Sequence, residues 1–122
     1  MAFVSQLDGL KLIESRIAAN VVHLRFIVGS RSPYFEGHFP GEPLLPGVAQ
    51  LGLALHAAQL LGDGELALTG LRGLRLRHPI RPEKEFEVSV TRSAPDAFRF
   101  EIRVAEGVAT VGTLLIALAP DI

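Results

Sequence analysis

The chain has 122 residues, a formal net charge of −1 and no cysteine, and 48% of it is apolar. That length allows one domain with a real core. The charge argues against nucleic acid as the main partner, and the missing cysteines exclude disulfides, thiolate nucleophiles and cysteine–zinc sites and suit a reducing cytoplasm.

The N-terminus, MAFVSQLDGLK, has no basic region followed by an apolar run, so a signal peptide is not expected. Residues 9–14 and 21–28 read as two strands around a turn at 18–20. In the second, Val22, Leu24, Phe26 and Val28 alternate with His23, Arg25 and Ile27, the period of a half-buried strand. Residues 29–33 form a break. The stretch 34–62, YFEGHFPGEPLLPGVAQLGLALHAAQLLG, then organises the rest. Its first half is a loop stiffened by Pro40, Pro43 and Pro46. Its second half, about residues 47–61, has the length of a helix and is apolar on nearly every side, which predicts a core helix wrapped by the remaining chain. Gln50, His56 and Gln59 and the leading prolines speak against a membrane span. Gly62-Asp63-Gly64 suits a helix end and turn.

The remainder reads as sheet. Residues 66–78 form a long strand with a kink at Gly70 or Gly73, and Pro79 and Pro82 bracket a turn. Phe86, Val88 and Val90 share one face of the next strand, and Phe98, Phe100, Ile102 and Val104 share one face of the following one. Glu106-Gly107 turns into a last apolar strand at 108–118. Two strands, one helix and a meander predict an α+β domain in which an antiparallel sheet curls around one long helix. Such a sheet buries one side of the helix and leaves the other for a partner. The high apolar content also suggests surface covered by a second subunit.

The chemistry points to the helix start. The first N–H groups of a helix lack internal partners and lie at the positive end of its dipole. Gly47 and Val48 can therefore donate to an oxygen gaining negative charge, and the loop delivers His38, suited to move a proton near neutrality. Gly41 and Gly47 permit close approach of a ligand. A loop histidine satisfied by backbone carbonyls is the plainer reading of His38. The four histidines have no metal-binding spacing, so no metal is expected, and neither a nucleotide loop nor a Gly-x-Ser-x-Gly elbow is present.

The run GHFPGEPLLPGV, residues 37–48, closely resembles the signature of the FabA/FabZ-type 3-hydroxyacyl-acyl-carrier-protein dehydratases. YFEGHFPGEPLLPGVAQLGLALH, residues 34–56, is nearer still to the ApeI-like, FabZ-like branch associated with aryl-polyene pathways. RHPIRPEKE, residues 77–85, is a looser match to the family's Arg/Lys-x-Pro-x-x-Pro strand end. The resemblance implies a hot-dog fold and a dimer, homomeric or heteromeric, with each site between subunits. It implies a β-hydroxyacyl substrate on the phosphopantetheine arm of an acyl carrier protein, with no other cofactor. His38 would remove the C2 proton, and the N–H groups near Gly47 and Val48 would polarise the thioester carbonyl. Phe39, Pro46 and Gly52 would line the substrate site.

One position departs from that family. Its helix carboxylate, fourteen residues after the histidine, is here Gly52. Glycine has no proton to give; it either relieves a tight contact or marks a lost or relocated acid. His56 follows one turn later on the same face and could supply the proton, or be a hydrogen-bonded core histidine. Arg72, Arg75, Arg77 and Arg81 cluster beside His78 and could dock an acidic carrier protein at a strand end that the resemblance places near the channel mouth, with Arg75 and Arg77 as substrate-binding candidates. They could equally be a solvated strand face with Leu74 and Leu76 turned inward. These readings predict a FabZ-like dehydratase with an atypical site. The alternative is a non-catalytic homologue that binds acyl chains or partners a competent subunit, and thioesterase activity ranks lower because Gly52 cannot activate water.

Overall fold

A computed structural model describes residues 10–29, 45–61 and 66–118. The elements follow the expected order: β1 (Leu10–Ile17), β2 (Val21–Val28), α1 (Gly47–Gln59), β3 (Leu66–Leu76), β4 (Glu85–Ala94), β5 (Ala97–Val104) and β6 (Gly107–Leu118). The strands form one six-stranded sheet in the order β1-β2-β4-β5-β6-β3, with every neighbouring pair antiparallel. Helix α1 lies across one face, packed against β2, β4 and β3. No helix among the described residues is long and apolar enough to cross a membrane.

Strict alternation builds the core face. Val22, Leu24, Phe26 and Val28 of β2, Phe86, Val88 and Val90 of β4, and Phe98, Phe100 and Ile102 of β5 are all buried. Phe26 and Phe86 are register partners, and their rings meet at a centroid distance of 5.8 Å. Each such side chain contributes about 1.5–3 kcal/mol by leaving water. The opposite face carries charge instead. Arg25 pairs with Glu14 at 2.9 Å, Arg103 with Glu101 at 2.7 Å, and the His23 ring meets the Ser89 hydroxyl at 2.8 Å.

The helix is not buried all round. Ala49, Gln50, Leu53, Ala54, Ala57 and Ala58 form the stripe against the sheet. Away from it Val48 is 71% exposed, and Leu60, the C-cap just past the helix, is 43% exposed. Leu51, Gly52, Leu55 and His56 on that side are intermediate in burial. The small alanines let the helix axis approach the sheet closely, which a stripe of leucines would prevent.

Two further differences follow from position in the sheet. β3 is an edge strand, so Leu74 and Leu76, read as inward-facing in the plainer account of this strand, remain 38% and 57% exposed. The first strand runs on to Ile17 because pairing with β2 continues through Ile17↔Val22. The expected kinks in β3 do occur. Its register with β6 shifts between Leu68 and Gly70 and again between Arg72 and Arg75, and Gly73 takes φ +65°, a left-handed conformation natural to glycine. The helix ends at Leu60, before the expected cap at Gly62, which lies outside the described residues.

Candidate active site

The junction entering α1 is tightly fixed. Leu45 donates its N–H to the Ile80 carbonyl at 2.8 Å and accepts the Gln50 side-chain amide at 3.0 Å. Pro46 is the N-cap, with extended φ −65° and ψ 153°, and makes no side-chain cap. Its carbonyl takes the N–H groups of Ala49 and Gln50, both at 3.1 Å. This leaves the N–H groups of Gly47 and Val48 without a partner among the described residues. An ideal Cβ on Gly47 would meet nothing within 4 Å, so this end of the helix is open. No acidic side chain occupies the first turn to compete for the donors. Among the described residues the geometry therefore offers two amides without a partner at the positive end of a helix, able to hold a developing oxyanion.

His38 and Phe39 lie outside the described residues. Gly52 and His56 are both intermediate in burial and lie on the helix face turned from the stripe. His56 is the helix's only titratable side chain, and burial lowers its pKa from the ordinary 6.5. The ring is therefore predominantly neutral at pH 7.

The arginines divide between two clefts. Arg72, Arg75 and Arg77 line a cleft of ≈ 370 Å³ together with Arg99, Val111, Gly112 and Thr113. Arg81 and His78 line a separate one of ≈ 590 Å³, shared with Glu83, Glu85 and Glu106. The single cluster expected from sequence thus loses Arg81 and gains Arg99. Thr113 pairs with Arg72 on one side and Arg99 on the other, so the two arginines stand in one row across three strands. Only counting strand register back from the turn at 105–106 would have placed Arg99 there.

Comparison with known proteins now decides the family. The ApeI dehydratase family model matches residues 14–113. The chain belongs to the ApeI-like dehydratase family. The 3-hydroxyacyl-[acyl-carrier-protein] dehydratase FabZ of Caulobacter vibrioides (strain NA1000 / CB15N) is 37% identical over 98 residues, covering 71% of this chain and 58% of that protein. FabZ of Anaeromyxobacter dehalogenans (strain 2CP-1 / ATCC BAA-258) is 34% identical over 97 residues, covering 66% and 62%. The chain therefore spans less than two thirds of the length of these relatives. Among solved structures, the dehydratase heterocomplex ApeI:P from Xenorhabdus doucetiae superposes with a TM-score of 0.80 at 22% identity, covering 88% of this chain and 96% of that one. The dehydratase domain of the CurF module of curacin polyketide synthase superposes at 0.66 with 16% identity, covering 92% of this chain and 44% of that one. These likenesses establish the hot-dog fold of the ApeI-like chain: one antiparallel sheet with a central helix.

Proposed function

We propose that this ApeI-like chain is a 3-hydroxyacyl-acyl-carrier-protein dehydratase, converting a β-hydroxyacyl thioester to the trans-2-enoyl thioester. The observation that carries the reading is the start of α1, where the N–H groups of Gly47 and Val48, the last two residues of the GHFPGEPLLPGV run, have no partner among the described residues.

In this reading His38 removes a proton from C2 while the Gly47 and Val48 amides hold the thioester oxygen as negative charge builds. The C3–O bond then breaks, the C2=C3 bond forms, and the hydroxyl leaves as water after taking one proton. Gly52 cannot provide that proton. We assign it to His56, one turn further along the half-exposed face. Because burial favours neutral imidazole there, only a minor protonated fraction serves at pH 7. Pro46, Phe39 and Gly52 line the acyl path. The row of Arg72 and Arg99, with Arg75 and Arg77, receives an acidic carrier protein. No cofactor is needed beyond the substrate's phosphopantetheine arm, and a cysteine-free chain of this kind suits the cytoplasm.

The dehydration run backwards, as hydration in heavy water, tests this. With a 2-enoyl thioester on its carrier, solvent deuterium should appear at C2 of the substrate. Its absence, from folded protein that binds the thioester, would refute the assigned base and amides.

A second reading is favoured by Gly52 and by the heterocomplex superposition: the chain is one subunit of a heteromeric dehydratase whose partner carries the acid. Exposed Val48 and Leu60 on α1 and the unpaired edge of β3 are consistent with a partner there. In this reading turnover appears only when a second hot-dog subunit is added.

A further inference from the structure

We infer that Gln50 is a positioning residue for the donor end of α1 and that Thr110 locks it in place; this rests on the dehydratase reading above. Gln50 is 4% and Thr110 1% exposed, and they are the buried polar side chains of the described core. Gln50 sits in a stripe otherwise made of alanine and leucine, where a carboxamide is unfavourable unless every polar atom is paired.

The pairing fixes its orientation. The Leu45 carbonyl can only accept, so the Gln50 nitrogen must face it, at 3.0 Å. The Gln50 oxygen then faces Thr110, whose hydroxyl donates to it at 2.5 Å. Turning the amide over would set oxygen against oxygen at Leu45, so a single arrangement survives. Meanwhile the Gln50 backbone N–H holds the Pro46 carbonyl, and the Leu45 N–H holds Ile80. Gln50 thus grips two successive carbonyls, at Leu45 and Pro46, and so fixes the peptide planes leading into Gly47 and Val48.

That matters for catalysis because oxyanion donors act by being aimed before charge develops. The same segment of β6 reaches the arginine end of the molecule. Ala109, beside Thr110, accepts the Arg77 N–H at 2.6 Å. One short piece of β6 therefore ties the donor end of α1 to the end of β3 that carries Arg75 and to Arg77 just past it.

The test compares Thr110→Val, which keeps the shape and removes the hydroxyl, with Thr110→Ser, which keeps the hydroxyl. Two readouts are taken, steady-state dehydration and amide hydrogen exchange at Leu45. In Thr110→Val, kcat should fall about 10- to 100-fold with KM little changed, as expected when donors are misaimed. The Leu45 amide should exchange about tenfold faster, the loss of roughly one hydrogen bond's net support. Amides of β4 and β5 should stay protected, and Thr110→Ser should restore both values. Unchanged kcat or unchanged Leu45 exchange in folded Thr110→Val overturns the inference, as does a uniform rise in exchange across the sheet. If Thr110→Val does not fold, Gln50→Met carries the same readouts. A parent protein without turnover would refute the dehydratase reading instead, and Leu45 exchange alone would then decide the anchor.

Discussion

Gly52 and His56 lie one turn apart on the half-buried face of α1, and no other helix residue can titrate. An acid at the glycine position would stand beside the route assigned to the leaving hydroxyl. Gly52→Asp is therefore expected to raise dehydration by about 10²-fold, the lower range for a positioned general acid. Steady-state assay of the folded variant checks this, and no gain would mean that the missing carboxylate is not what limits turnover.

His56 also sets a pH dependence of stability. Its folded pKa lies below the unfolded value of 6.5, so the unfolded chain binds the proton more readily. Stability from this group is complete above 6.5 and declines as pH falls through the folded pKa. Thermal unfolding at about pH 7.5 and about pH 5 should show a smaller acid-induced loss for His56→Gln than for the parent. Equal losses would show that the histidine is not held neutral by burial.

Most of the fold was legible because its strands obey a two-residue period. β2, β4 and β5 each place their predicted apolar residues on one core face, with Val104 at the end of β5 only half-buried, and Gly73 marks the irregularity in β3. The exposure of α1 was harder to read. Val48 and Leu55 are as apolar as Leu53, yet one is exposed and the other half-buried, so hydrophobicity alone cannot say which side meets the sheet. Thr110 gave no signal, since one hydroxyl in an apolar strand matters only through its partner on the helix. Arg99 was missed because its neighbours are set by register across β6 and not by sequence spacing. The His38 assignment rests on the sequence motif, since that residue lies outside the described residues.

Two glycines should respond oppositely to alanine. A Cβ on Gly112 would lie 2.8 Å from the Phe100 ring, its register partner on β5, so the ring must move within a filled core. Gly112→Ala is expected to lose about 1–3 kcal/mol in chemical denaturation. A Cβ on Gly47 meets nothing within 4 Å, so Gly47→Ala should keep its stability. It should nevertheless lose turnover, because the methyl stands where the thioester oxygen approaches the amides. Full activity in Gly47→Ala would remove those amides from the mechanism.

The arginine row should govern carrier binding. Among the described residues Arg72, Arg75, Arg77 and Arg99 have no acidic partner, unlike Arg25 and Arg103 on the same sheet. Arg99→Glu should weaken binding of an acyl carrier protein about tenfold at low salt. The difference should shrink as salt shortens the screening length to about 3 Å near 1 M. Calorimetric titration at two ionic strengths measures both effects, and an unchanged affinity would place docking elsewhere.

In the proposed mechanism this chain dehydrates carrier-bound 3-hydroxyacyl thioesters through His38 and the start of α1. The direct measurement is mass-spectrometric turnover of a 3-hydroxyacyl-acyl-carrier protein by the purified chain, beside His38→Ala. Loss of one water from the substrate is expected with the parent and none with His38→Ala. Equal turnover by both proteins, or none from a folded parent that binds the substrate, would contradict it.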